Sequence, residues 1–320
     1  MRIIKFDIVC IGHVLYDIRC YVNNFPSPDK LAVIMGRLKS GIGGSTANSA
    51  VAASKLGLEC GIIGKIGFDE YGWSVIQSFR DYGINMDHVL VDFSNPTGVS
   101  LITVDKDGTP EFVQMIGASE PISPEEIRPE YIGTSKHLHM TGLNMEALIK
   151  SSQIAKDYGK TVSFDPGRKK SDLGYKVLLP ILENVDILLV NQSEAKILLG
   201  AEKDAEITGV MKKLRERIGK HKIFVAKGGY RNLHVYSPEG DFSISPFNVK
   251  VVDTIGAGDA FDGSFITAFL RGESCEDAAI YGAACGSLKC ECEGAQSGPN
   301  KEKLEAFVKE NRKALEITRL

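Results

Sequence analysis

No stretch of the sequence reaches the roughly 18 consecutive apolar residues that span a bilayer. The basic start, MRIIKFDIVCIGHV, also lacks an apolar core followed by a small-residue cleavage site. Both absences argue against a membrane partner and a secretory route, so the chain is expected in the cytoplasm. A polybasic tract is missing too: Lys and Arg total 38 against 41 Asp and Glu, a net charge of -3. A phosphate polymer finds no electrostatic footprint here, and nucleic acid is not expected as a partner. The seven cysteines are odd in number and spread through 320 residues, which suits reduced buried thiols better than a disulfide framework. Cys290 and Cys292 form a lone C-x-C with no second pair or nearby His, so helix packing explains them better than a metal does. Two nucleotide motifs are missing as well. The P-loop pattern G-x-x-x-x-G-K-[ST] does not occur, and Gly256, Gly258 and Gly263 are spaced G-x-G-x-x-x-x-G, far from the first strand. This sets aside a dinucleotide dehydrogenase. Neither a low-complexity linker nor an internal repeat divides the chain, so residues 1–320 are expected to form a single domain.

What is present is a clean alternation in the second half. KHLHM (136–140), TVSF (161–164), DILLV (186–190) and KIFVA (222–226) read as strands. Helical patterns cover 145–158, 173–184 and 205–219, with a short one after Asn191, and then 257–271, 275–290 and 301–313. Apolar strands joined by amphipathic helices need crossover connections and build a parallel sheet covered on both faces. The fold class is therefore α/β, with a three-layer, Rossmann-like core. The first 120 residues open with the strand FDIVCIG but then alternate apolar and polar in YDIRCYV, LAVIMGRL, GVSLITV and EFVQM, the last two flanking a DKDG turn. That period of two predicts a small antiparallel sheet with one wet face, inserted over about 14–38 and 97–115.

Four stretches can carry chemistry. In VVDTIGAGDAFDGSF (251–265) a glycine-rich turn joins a strand end to a helix, so unpaired N–H groups and the helix dipole make an anion site. Asp259 in that first turn can be a helix cap. Beside a phosphate site it can equally accept the proton of an attacking hydroxyl while the N–H groups stabilise the transferring phosphoryl. In GIGGSTANSAVAASKLG (41–57), Gly43 and Gly44 let a ligand approach the backbone, and Asn48 is a lone amide in a small apolar helix. Asp17, in GHVLYDI after the first strand, is either an ordinary strand residue or an acceptor for two vicinal hydroxyls. Asn191 and Glu194, in VNQSEAKILLG, are oxygen ligands that suit Mg2+ held through water, and by themselves they also read as a capping arrangement.

In this order, the pieces resemble the ribokinase or PfkB family of carbohydrate kinases over nearly the whole chain. DTIGAGDAF matches the family signature D-T-x-G-A-G-D, the double glycine with Asn48, Ala50 and the closing LG matches the N-terminal one, and GKIGFDEYG, NQSE and GAQSGP fall in the family's places. The resemblance implies a ribokinase-like core with a small β-sheet lid. It makes Asp259 the general base and Gly256, Ala257 and Gly258 the anion hole. Asp17, Gly43, Gly44 and Asn48 would line the acceptor pocket. Nucleotide contacts would come from Asn191, Lys227, Gly228 and Thr254, with Glu194 toward Mg2+. Asp253, with the region around Gly294 and Ser297, matches the place where some members hold a monovalent cation such as K+.

Three departures bear on the substrate. Arg231 replaces the second glycine of a G-x-x-G after the fourth of these strands, and Ser45 stands where ribokinases commonly have Lys. GGSTANS with LYDI is similar to nucleoside kinases, whereas FDPGR is similar to fructokinase-like members and makes Arg168 a substrate-binding candidate. Arg168 also reads as a solvated neighbour of Lys169 and Lys170. The expectation is an ATP-dependent kinase of a small furanose-like sugar, with a nucleoside as the alternative acceptor and a non-catalytic ligand-binding homologue as the third. The resemblance implies a homodimer through the lid sheet, which the apolar-polar alternation at 14–22 and 97–104 permits. Asp262 reads as a structural residue of its helix.

Overall fold

The computed structural model describes residues 4–36, 38–106 and 110–320. In chain order the first half runs β1 (Phe6–Ile11), β2 (Leu15–Tyr21), β3 (Lys39–Gly43), α1 (Ser45–Lys55), β4 (Cys60–Gly67), α2 (Glu70–Asp81), β5 (Asn85–Asp92), β6 (Gly98–Val104), β7 (Pro110–Met115) and α3 (Pro129–Gly133). The second half runs β8 (Ser135–Met140), α4 (Met145–Asp157), β9 (Thr161–Phe164), α5 (Gly167–Ser171), α6 (Tyr175–Leu182), β10 (Ile187–Asn191), α7 (Gln192–Leu199), α8 (Ile207–Ile218), β11 (Ile223–Lys227), β12 (Leu233–Ser237), β13 (Gly240–Ile244), α9 (Ala257–Leu270), α10 (Cys275–Cys290), α11 (Lys301–Asn311) and β14 (Ile317–Arg319).

Among the described residues the large sheet has ten strands in the order β14-β13-β12-β11-β10-β9-β8-β1-β4-β5. From β11 to β5 every pairing is parallel, as crossover helices require. The strand alternation then buries both faces. Ile187, Leu189, Ile223 and Val225 face one core with α1, α9 and α10, while Leu188, Val190, Phe224 and Ala226 face the other with α4, α6 and α8. The β12–β14 edge is antiparallel and was not anticipated. Only Pro238 and Glu239 separate β12 from β13, too short a link for anything but a hairpin.

The small sheet has the order β3-β2-β6-β7 and departs from expectation in two respects. Its central pair, β2 with β6, is parallel, because α1, β4, α2 and β5 intervene and return the chain in the same direction. LAVIMGRL does not supply the third strand. Leu31 and Val33 are exposed, Ile34 makes only an isolated bridge to Val22, and the strand that pairs with β2 is Lys39–Gly43. The Asp107–Gly108 half of the expected DKDG turn lies outside the described residues.

Two features position the site. The C-terminal ends of β1, β9, β10 and β11 open on one edge of the large sheet, where ligands of open α/β sheets bind. Along one face, α1 packs tightly against α9: a Cβ at Gly263 would lie 2.6 Å from the Ser49 carbonyl oxygen and 3.1 Å from Ala53 N. Glycine at 263 therefore sets how closely the two helices approach, and with it the distance between the polar residues they carry.

Candidate active site

Gly256 adopts φ 80 and N-caps α9, a conformation an L side chain enters only with strain. A Cβ there would also fall 2.7 Å from the Ala295 carbonyl oxygen, so the turn is closed from behind by residues 294–295. Ala257 N donates to the Thr254 carbonyl oxygen at 3.1 Å, which holds the turn. The next N–H groups, of Gly258 and Asp259, have no acceptor within a helix by construction and point out of its N-terminus. The turn thus leaves the Gly258 and Asp259 N–H groups open to an acceptor, while Ala257 N is committed to the turn itself.

Asp259 follows Gly258 in the first turn of α9, and its Oδ2 accepts a hydrogen bond of 2.7 Å from Asn48 Nδ2. Asn48 is buried in α1 and its Oδ1 accepts from Gln296, which also donates to the Ile42 carbonyl oxygen at 2.7 Å. Burial raises the Asp259 carboxyl above the ordinary aspartate range; the Asn48 amide draws it back and the charge of Asp165 pushes it up again. Asp17 approaches from β2. Its carboxyl is also raised, first by burial, with Arg19 lowering it and the charge of Asp259 raising it. Asp17 on β2 and Asp259 on α9 therefore feel each other's charge. A Cβ at Gly43 would lie 1.9 Å from Asp17 Oδ1, so only glycine there leaves that carboxyl its room. Gly44 N-caps α1 at φ 89, where a Cβ would meet the His13 carbonyl oxygen at 2.4 Å.

On the nucleotide side the arrangement is more constrained than the sequence implied. Asn191 and Glu194 form a reciprocal capping box at α7: Asn191 Oδ1 accepts Glu194 N and Glu194 Oε2 accepts Asn191 N, both at 2.9 Å. The capping arrangement is therefore formed, and Glu194 is its acidic member. Its carboxyl is buried and pushed up to about 7 by desolvation and the neighbouring charge of Asp165. A carboxyl held that high gains from an arriving cation, so its chemistry fits Mg2+. Among the described residues no three His, Cys, Asp or Glu side chains cluster to hold a metal by themselves. A divalent ion would therefore come with the nucleotide's phosphates and water, which suits Mg2+.

Lys227 ends β11, and its Nζ reaches Asp165 Oδ2 at 2.7 Å and Asp262 Oδ1 and Oδ2 at 2.9 and 3.0 Å. It is committed to two buried carboxylates, yet a Cβ at Gly258 would lie 3.5 Å from Nζ, so its charge stands directly beneath the first turn of α9. Gly228 begins the following turn, where a Cβ would collide with the Arg231 and Asn232 carbonyl oxygens, and Thr254 is exposed at the lip. Arg168 lies on the short helix α5, largely exposed and ion-paired to Asp172 at 3.2 Å, and its charge is felt by the Glu194 carboxyl.

Three residues of the site escaped the sequence reading. Arg19 lies two positions after Asp17, on the same face of β2, and donates to its Oδ2 at 3.0 Å with Nε buried and unpartnered. Period two could have found it. Asp165, in the FDPGR stretch, stands at a strand end as Asp17 follows one. Gln296 lies in the GAQSGP stretch that the resemblance marked, though the residue itself was not singled out.

The sequence profile of the pfkB family carbohydrate kinases matches residues 5–303, and the chain belongs to that family. It is an ATP-dependent carbohydrate kinase, transferring phosphate to an alcohol group of a small sugar. Among its relatives is the ATP-dependent ribose-1-phosphate kinase of Halopiger xanaduensis, 32% identical over 306 residues, covering 95% of this chain and 98% of that protein. The ribokinase of Thermotoga maritima superimposes with a TM-score of 0.81 at 28% identity, over 95% of this chain and 99% of the other. That of Arabidopsis thaliana, solved with ribose and ATP, shares the fold with a TM-score of 0.84 at 24% identity, over 94% and 98% of the two chains.

Proposed function

We propose that the chain phosphorylates a hydroxyl of a furanose sugar, with Asp259 as the general base and the Gly256–Gly258 turn receiving the transferred phosphoryl. The observation that carries this is the 2.7 Å bond from Asn48 to Asp259 beside the Asp17 pocket. It holds the carboxylate in place so that the group can take a hydroxyl proton. Asp17 accepts hydrogen bonds from the sugar's vicinal hydroxyls and orients the attacking one. Lys227, fixed beneath Gly258, adds positive potential where negative charge builds up. Glu194 and Asn191 would hold Mg2+ arriving with ATP, and the ion would supply neutralisation of phosphate charge. The small sheet acts as a lid over the acceptor, keeping water from competing for the phosphoryl.

A second reading concerns the same sugar already carrying a phosphate. It is favoured by Arg19, a buried guanidinium beside Asp17 with a free Nε–H, and agrees with the activity in the name of the Halopiger relative. Transfer from labelled ATP across ribose, ribose 1-phosphate, fructose, adenosine, guanosine and cytidine separates the readings. Turnover with a free or phosphorylated sugar far above that with any nucleoside is expected; nucleoside turnover above both overturns the sugar assignment.

The active form is a homodimer joined through the lid. On the face of the small sheet away from the pocket, Ile18, Leu101 and Val113 stand in one cross-strand row and Val99 and Met115 in the next. Leu101, Val113 and Met115 are 49%, 69% and 47% exposed, a contiguous apolar surface that water does not favour. Light scattering at micromolar concentration is expected to give twice the chain mass, and Leu101→Lys to halve it; a wild-type monomer removes the dimer. The seven cysteines, all free thiols, suit a reducing cytosol.

A further inference from the structure

Lys289 has no exposed surface, and nothing in the reaction described so far uses it. It stands in the last turn of α10 and its Nζ donates to the backbone carbonyl oxygen of Asp253 at 2.6 Å, lying 3.6 Å from Asp253 Oδ1. The Asp253 carboxylate is itself buried. It accepts Ile255 N on Oδ1 and Gly294 N on Oδ2, each at 2.8 Å. The backbone N–H groups of Val252 and Asp253 donate to the Cys290 carbonyl oxygen at 2.7 and 3.0 Å. Three residues further on is Gly256, packed against Ala295. The ammonium, Asp253 and the 294–295 loop thus form one block directly behind the phosphate turn.

This is the place where the family resemblance implied a monovalent cation, and the residues present do not fit one. The backbone oxygen and the carboxylate of Asp253 already face an ammonium. Ser297 Oγ, another expected ligand, donates to the Gly294 carbonyl oxygen at 2.6 Å. The Arg19 guanidinium approaches the same loop, 3.5 Å from where a Cβ of Gly294 would lie. A third positive charge in that space would be repelled by two fixed ones. Burying an ammonium is costly unless it is paired, and an apolar side chain of equal length would fill the volume without that cost. The charge is therefore kept for what it does to Asp253.

We infer that the Lys289 ammonium is a built-in substitute for a monovalent activator, holding Asp253 and the 253–258 turn in its phosphate-binding shape, so that phosphoryl transfer proceeds without K+. Lys289 is a positioning residue, and the inference rests on reading that turn as the phosphoryl site.

The test compares the full chain in potassium chloride and in tetramethylammonium chloride, with Mg2+ and ATP and whichever acceptor the panel selects. Wild-type turnover, and the rise in Tm produced by Mg2+ and ATP, are expected to be the same in both salts. Lys289→Ala is expected to lose about tenfold or more in tetramethylammonium, as positioning groups behind a reacting site do, and to regain much of it in potassium or ammonium, which fit the vacated volume. Lys289→Met, with length but no charge, is expected to lose as much and to be rescued by neither. Severalfold activation of the wild type by K+ overturns the inference, as does full turnover of either variant in tetramethylammonium, or an Ala variant whose loss neither ion relieves. Should the Ala variant not fold, the wild-type titration and the Met variant decide. A chain that transfers phosphate to no acceptor defeats the functional reading instead, and the salt dependence of the ATP-induced Tm rise then decides this one.

Discussion

Asp259→Asn is expected to lower kcat by about 10²–10⁴-fold, the usual contribution of a positioned general base, with the fold and the acceptor KM nearly unchanged. The geometry allows so clean a loss. Asn at 259 can still accept the Asn48 amide through its own carbonyl oxygen, so the 2.7 Å contact and the α1–α9 packing around it survive. What disappears is the oxygen that takes the proton. The same assignment fixes a pH dependence. The base works as the carboxylate, and burial holds its carboxyl above the ordinary aspartate range. Wild-type kcat/KM is therefore expected to fall as pH drops through a value higher than that of a solvated aspartate, and Asp259→Asn should lack this limb. Steady-state rates of both proteins across pH are the check, and near-normal turnover by the Asn variant would remove Asp259 from the mechanism.

Lys227→Met should cost about 3–5 kcal/mol of folding stability, the typical result of removing one partner from a buried ion pair. Its ammonium is enclosed by Asp165 and Asp262, whose side chains are 12% and 1% exposed. Burial would lower the Lys227 pKa, but the two carboxyls and Glu194 hold it above the ordinary lysine range. The acids then divide the work. Asp165, despite burial, is held below its usual range by Lys227, while burial drives Asp262 well above its own. The expected charge assignment is one cation, one anion and one neutral acid, with Asp262 as the member that carries the proton. Removing the cation strands the anion. Removing the proton-bearing member does not, because Asp262→Asn still offers Asp165 a donor. That variant is expected to unfold within about 1 kcal/mol of wild type, the worth of a single net hydrogen bond. Urea unfolding at neutral pH measures both. Equal losses in the two variants would show that the charge assignment is wrong. Asp165 also makes the set acid-sensitive: a carboxyl with a depressed folded pKa contributes stability above its unfolded pKa and loses it as pH falls through the folded one.

Much of this molecule was legible one element at a time. The strand at 161–164 and the helix at 275–290 coincide with β9 and α10, because period and length are properties of a local segment. The glycine-acid turn is local as well, formed by consecutive residues at the start of α9. LAVIMGRL misled for the same reason. Its alternation is real, but a strand exists only where a partner's backbone lies alongside, and residues 39–43 take that edge of β2.

What the amino-acid order determined alone is the alternation of strands and helices, the phosphate turn at 253–259 and the candidate acids around it. What only the tertiary structure decided is which of those acids meet. Asn48 and Asp259 are 211 residues apart and touch because Gly263 lets α1 and α9 close on each other. Asp165, Lys227 and Asp262 share one buried set because β9, β11 and α9 converge at the same sheet edge. Arg168 is turned to solvent and Lys289 turned inward on Asp253 by the direction of their helices. A carboxylate's role depends on its partners and its distance from water, and both are set by packing between elements, which no local pattern records.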